Sequence, residues 1–193
     1  MRIIGRTAAT LLTTTIVLGA SATAANAQAT TIKDKASDVV TYSETNTDGS
    51  VLSYADSVAS GADVRSLKVK HTKKSLTFTV TFAQLSSDTG LSVAIRPNGK
   101  SEPNRVFFNT GRSSGEVYDM SDKTRCTVTV TTKLGRGGSI KATIKRSCLG
   151  NPKKIKVSAA AISFDQATGA TLFDAVSTSS VRTPSETKWL KAS

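Results

Sequence analysis

Residues 63–85, DVRSLKVKHTKKSLTFTVTFAQL, constrain what this chain can fold into more than any other stretch. Leu67, Val69 and His71 alternate with Lys68, Lys70 and Thr72, and Leu76, Phe78, Val80 and Phe82 alternate with Thr77, Thr79 and Thr81. Period-two alternation places one set on each face of a half-buried strand. Closing the turn at Lys73-Lys74 pairs His71 with Leu76, Val69 with Phe78 and Leu67 with Val80, all on one face. Lys70 then meets Thr77, and Lys68 meets Thr79, on the other. A slip of one residue would mix the faces, so the register is well specified. Lys-Lys does not suit a two-residue primed turn, which needs positive φ. A four-residue loop over 72–75 keeps the register and is the expected connection.

The N-terminus reads as a targeting segment. Arg2 and Arg6 precede an apolar or small run over 8–20, and Ala25-Asn26-Ala27 fits an A-x-A cleavage pattern. Residues 1–27 are therefore expected to be a secretory signal peptide cleaved after Ala27, giving an extracellular product that starts at Gln28. The run is too short and too rich in Thr to span a bilayer. No Cys lies near the cleavage site to take a lipid, and no second apolar run appears at the C-terminus.

Export gives the cysteines a meaning, since two in a secreted chain suggest one disulfide. The segments 126–130 (CTVTV) and 140–144 (IKATI) both alternate around the turn-rich LGRGG of 134–138. Centring a hairpin on Gly137 sets Cys126 against Cys148, Val130 against Ile144 and Thr132 against Ala142. Facing positions of this kind are compatible with bridging.

The remaining chain offers short alternating runs separated by turn signals. Strands are expected over 39–42, 51–54, 91–95, 105–108, 116–120 and 155–161. Residues 28–35 read as a polar lead-in, 46–49 (NTDG) as a turn and 56–63 as a small-residue loop. Residues 177–193 are polar apart from Trp189 and are expected to be partly mobile. Eight to ten short strands predict an all-β fold: a single antiparallel β-sandwich, jelly-roll-like, with one disulfide. It would occupy residues 28–180, followed by a polar tail at 181–193.

The Lys-Val-Lys-His-Thr arm, the Phe-Thr-Val-Thr-Phe arm and the later Arg146-Ser-Cys-Leu-Gly-Asn-Pro152 together resemble small secreted proteins of high-GC Gram-positive bacteria. Their pattern is similar to jelly-roll sandwiches related to DOMON and family 9 carbohydrate-binding modules. The resemblance covers residues 63–157 and implies a sandwich that binds a carbohydrate or other small ligand. It carries over no ligand-binding residue.

Charge is the sharper functional signal. Residues 28–193 hold 24 Lys and Arg against 14 Asp and Glu, a net of +10, and residues 66–156 alone hold 18 against 5, a net of +13. Lys68 and Lys70 share an outer face with Thr77, Thr79 and Thr81, Lys141 and Lys145 occupy the corresponding face of the cysteine hairpin, and Lys153, Lys154 and Lys156 follow. If the hairpins lie in one sheet, these lysines form a surface for an anionic wall polymer or acidic glycan. The competing reading is a solvated face whose lysines discourage edge-to-edge pairing. Nucleic acid is the least supported partner, for want of an interleaved aromatic platform. Sugar binding needs exposed rings, and Tyr42, Tyr54, Tyr118, Trp189 and one of Phe107 and Phe108 are the candidates.

No catalytic constellation emerges. His71 is the single histidine and falls on the apolar face, with Ser75 and Asp63 as conceivable partners; a structural role at the rim of the core is favoured. No G-x-S-x-G is present. Asp34, Asp38, Asp48, Asp56 and Asp63 gather before the hairpin, where exported β-domains sometimes bind calcium, but their spacing matches no EF-hand and Asp also suits turns. The sequence alone therefore assigns no metal, no cofactor and no catalytic residue.

Overall fold

The structure, a computed structural model, describes residues 27–119 and 123–193. The expected leader, residues 1–27, lies outside the described residues except for Ala27. In chain order the elements are β1 (Gln28–Lys33), β2 (Val40–Ser43), β3 (Asn46–Val51), a short helix α1 (Tyr54–Ala59), β4 (Val64–His71), β5 (Ser75–Phe82), β6 (Gln84–Leu85), β7 (Gly90–Pro97), β8 (Asn104–Asn109), β9 (Ser114–Tyr118), β10 (Thr124–Lys133), β11 (Gly135–Arg136), β12 (Ser139–Lys145), β13 (Lys154–Phe164), β14 (Thr171–Ala175) and β15 (Leu190–Lys191).

The hairpin β4–β5 forms in the expected register: His71 opposes Leu76, Val69 opposes Phe78, Leu67 opposes Val80, and Lys70 and Lys68 oppose Thr77 and Thr79. Its loop is closed by a side chain. The Thr72 hydroxyl accepts from the amides of Lys74 and Ser75 and donates to the Ser75 carbonyl, so Lys-Lys needs no primed turn. The inward set of both strands is buried. Each fully buried Leu, Val or Phe here contributes about 1.5–3 kcal/mol relative to exposure.

Among the described residues the ladders are antiparallel and run in one path, β1-β4-β5-β12-β10-β9-β8-β7-β13-β14-β2-β3. β15 is added beside β13, and β6 pairs with β11 separately. The all-β class and the disulfide are as expected. The hydrogen bonds draw a single curled sheet, however, and do not divide the strands into two. Strand twist accumulates in so wide a sheet and curls it. Curling brings β4 against β13, and Phe78 of β5 against Phe108 of β8 with ring centroids 5.5 Å apart. One continuous apolar core fills the interior.

The cysteine hairpin departs from expectation by two residues. Val130 opposes Ala142, and Thr132 opposes Ile140, rather than Ile144 and Ala142. A shift of two keeps every inward residue inward, so alternation cannot distinguish the registers. What fixes the register is the second neighbour: β12 also pairs with β5, Ala142 against Phe78 and Ile144 against Leu76. Continued, this ladder would set Arg146 opposite Cys126. A 3-10 turn at Arg146–Leu149 instead carries Cys148 back to Cys126, with the Cα atoms 5.9 Å apart.

Other local readings also change. Residues 28–35 contain a strand rather than a lead-in, with Ile32 paired to Leu67 of β4. The turn between β2 and β3 falls at Glu44-Thr45, while Asn46–Val51 is strand, with Gly49 at φ 73°. The loop read at 56–63 begins as α1, capped by Ser53, whose hydroxyl accepts from the Asp56 amide. β14 went unread. The segment 181–193 is not a free tail: β15 pairs with Lys154 and Ile155 of β13, the buried Thr187 hydroxyl accepts from the Val157 amide, and Arg182 donates to the Asp48 and Gly49 carbonyls.

Candidate functional site

β5 joins the two lysine-bearing hairpins. It pairs with β4 on one side and β12 on the other, so the two Lys/Thr faces are one surface. Crossing the sheet, one row reads Thr31, Lys68, Thr79, Lys141, Thr131, and the next reads Ala29, Lys70, Thr77, Thr143, Thr129. Lys145 stands opposite Ser75 at the end of the ladder. Strands lie about 4.8 Å apart, so Lys68 and Lys141 rise about 10 Å apart with Thr79 between them. Lys68, Lys70, Lys141 and Lys145 are exposed. β4, β5, β10 and β12 contain no Asp or Glu, and among the described residues none of these four lysines forms an ion pair.

The other three candidate lysines do not join that face. Lys153 and Lys154 line an open cleft with Lys73, Arg146, Lys191 and Ala192, beside the β4–β5 turn. Arg146 is the structural centre of that end. Its guanidinium donates to the carbonyls of Lys73, Asn151 and Pro152, each at 3.0 Å, which fixes its charge in place among the surrounding lysines. Sequence reasoning passed over this role, which belongs to contacts distant in the chain. Lys156 is engaged elsewhere: it bonds Glu186 at 3.2 Å and lies 5.2 Å from the centre of the Trp189 ring, while Arg96 pairs with the same Glu186.

Exposed rings are present as well. Phe107 projects outward and Phe108 inward, as adjacent positions on a strand require. Phe107 and the exposed Phe164 flank a groove of about 210 Å³ that runs over Gly90, with Ser92 and Asn109 alongside. Tyr54 and Trp189 are exposed elsewhere.

His71 is buried, and its Nδ1 lies 3.0 Å from the Leu190 carbonyl, which it meets as the N–H donor. Burial pushes its pKa below the usual value, so the ring is neutral. Ser75 belongs to the turn beside it, but Asp63 precedes the far end of β4. Eight residues of extended strand amount to about 26 Å, so the three do not converge.

The acidic residues sort differently from their order in sequence. Asp34, Asp38 and Asp63 come together and are joined by Asp174. Asp48 lies on β3, and Asp56, in the first turn of α1, accepts from the hydroxyl of the capping Ser53. Asp174 was not foreseen, although a signal exists: it sits in the run 170–176 (ATLFDAV), where Ala170, Leu172, Asp174 and Val176 are all buried.

Comparisons with protein-family models, with curated proteins and with solved structures found no match to this chain.

Proposed function

We propose that the chain is exported and that residues 28–193 act as a non-catalytic domain binding anionic polymers of the cell envelope, such as teichoic acid or an acidic glycan. The contiguity of Lys68, Lys70, Lys141 and Lys145 across β4, β5 and β12 carries this reading. Charges about 10 Å apart without acidic neighbours add their potentials, and a polyanion meets several at once. The intervening threonines offer hydroxyl donors at the same level. The charges are exposed, so salt with a Debye length near 8 Å weakens the attraction. Lys153, Lys154, Lys73 and Lys191 extend the basic surface around the turn end.

Retention of purified protein on cell wall, titrated with salt, tests this. Binding is expected at low ionic strength and should be lost at moderate salt. The variant K68T/K70T/K141T/K145T should lose most of it without loss of folding. Equal retention of the variant and the parent protein would overturn the assignment to this face.

A second reading, a carbohydrate or other small-ligand module, is favoured by the groove between Phe107 and Phe164. Two exposed phenyl rings beside Ser92 and Asn109 present stacking and hydrogen-bonding partners together. It predicts salt-resistant retention that free sugar competes and Phe107→Ala removes. Absence of any retention on cell wall, even at low salt, would sink both readings.

A further inference from the structure

Three stretches of chain meet where the two halves of the curled sheet approach without a ladder between them. The loop from β1 to β2 brings Asp34, Ser37 and Asp38, the start of β4 brings Asp63 and Val64, and β14 brings Asp174 with Ser177 beyond it. β4 lies near one end of the strand order and β14 near the other. Side chains therefore supply the connection: Asp174 Oδ2 accepts from the Val64 amide at 2.6 Å, and Asp34 Oδ1 accepts from the Ser177 amide at 2.5 Å.

Each of these carboxylates keeps a second oxygen. Oδ2 of Asp34, Oδ1 of Asp38 and Oδ1 of Asp174 are buried without a hydrogen-bond partner, and so is the Ser37 hydroxyl. Asp174 is 0% exposed and Asp38 3%. Native proteins rarely leave such atoms unpaired, and several together ask for an explanation. One oxygen from each of Asp34, Asp38 and Asp174 lies within 4.8 Å of the other two. Oxygens bonded to one calcium ion at about 2.4 Å can be no further apart than about 4.8 Å, so the three are close enough to share one.

We propose that Asp34, Asp38 and Asp174 form a calcium site, with the Ser37 hydroxyl and water completing the oxygen shell. The donors are all oxygen, which selects a hard cation. Three carboxylates in an irregular buried cluster suit calcium better than magnesium, which demands near-ideal octahedral geometry and usually keeps its waters beside one or two carboxylates. Asp63 supports the site without entering it. Its Oδ1 accepts from the Ser37 amide, fixing a loop whose Ser37 has φ 63°, and its Oδ2 pairs with Arg65 at 3.0 Å. Lys35 and Arg65 are the cations facing the cluster, and Arg65 is engaged with Asp63. In the absence of the ion, burial and mutual repulsion push Asp34 up to about 7 and Asp174 up to about 8. Three carboxylates crowded in this way either hold protons or hold a cation.

The test uses purified, chelator-stripped protein at pH 8, titrated calorimetrically with calcium chloride and, separately, magnesium chloride, beside thermal melts of the same samples. One calcium per chain is expected. The melting temperature should rise by about 5–10 °C at free calcium a hundredfold above Kd. Asp174→Asn can still accept from the Val64 amide, and it should weaken calcium at least tenfold. Asp38→Asn, which keeps the size of the side chain and one acceptor oxygen, should do the same and guards against misfolding of the first variant. Absence of calcium heat and of any melting shift at millimolar calcium would overturn the site. Equal stabilisation by magnesium would overturn its assignment to calcium. Neither outcome touches the lysine face, whose assay reads wall retention.

Discussion

His71 and Arg146 each show a polar side chain spent on holding the backbone. The imidazole of His71 donates to Leu190 and buries an unpartnered Nε2. Its pKa is lowered, so between the folded and unfolded values the unfolded chain binds the proton and the native chain does not. Stability then rises with pH, and what His71 contributes is lost as pH falls below about 6.5. The slope is at most about 1.4 kcal/mol per pH unit. His71→Gln can keep the bond to Leu190 but cannot titrate. Denaturant melts at pH 7.5 and pH 5 should therefore differ more for the parent protein than for the variant; an identical difference would mean that other groups carry the dependence. At Arg146, three carbonyls share one guanidinium. A lysine cannot reproduce that fork, and bonds from charged donors are worth about 1.5–3 kcal/mol each when their partner is left bare. Half-exposure and water reduce the sum, so Arg146→Lys should cost about 2 kcal/mol in equilibrium unfolding. A cost below half of that would show that water replaces the fork.

At the scale of elements, the disulfide joins β10 to the 3-10 turn that follows β12, over a separation of 22 residues. The chain-entropy account gives about 3 kcal/mol for a loop of this size. The double variant C126S/C148S should be less stable by about that amount and still fold, because β12 remains held by β5. Loss of the fold itself would show that the bridge, and not β5, sets the position of β12. The same elements show what sequence makes legible. Alternation locates β4, β5, β7, β10, β12 and β13, and the β4–β5 register follows from pairing apolar with apolar. It gave the β10–β12 register two residues away from the observed one, because β5 lies 60 residues earlier and its claim on β12 leaves no local mark. β14 was missed since Phe173 faces outward and Asp174 inward, the reverse of the pattern that alternation looks for. For the sites, the lysines were legible as residues and only in part as a cluster. Lys68, Lys70, Lys141 and Lys145 share a face because their strands pair through β5. Lys156 leaves the set because Glu186 and Trp189, thirty residues on, fold over it. Asp34, Asp38 and Asp63 were visible as a group; Asp174 joined them through the curl.

Over the whole molecule, the two halves of the sheet are clasped at both ends of β4. At the His71 end the clasp is the C-terminal segment. Leu190 is buried, it pairs with Ile155 and bonds His71, and the Gln28 amide donates to the Ser193 hydroxyl. Leu190→Ala should cost about 2–4 kcal/mol by the cavity it leaves. Deleting residues 187–193 should cost more, since it also strips the acceptor of the Val157 amide. Equal stability of the truncated and full chains in urea melts would mean that this segment is an ornament. At the other end the clasp is the carboxylate cluster. The basic cleft and the acidic cluster thus occupy opposite ends of β4, about 23 Å apart along seven strand residues.

That second clasp makes two backbone protons unusual. An amide within a ladder donates to a carbonyl of the adjoining strand, and its release into solvent reports the loss of a strand. The amides of Val64 and Ser177 donate instead to Asp174 and Asp34. Their exchange with deuterium is governed by whether those two carboxylates stay in place, so they time the parting of the sheet's two halves separately from the melting of its strands.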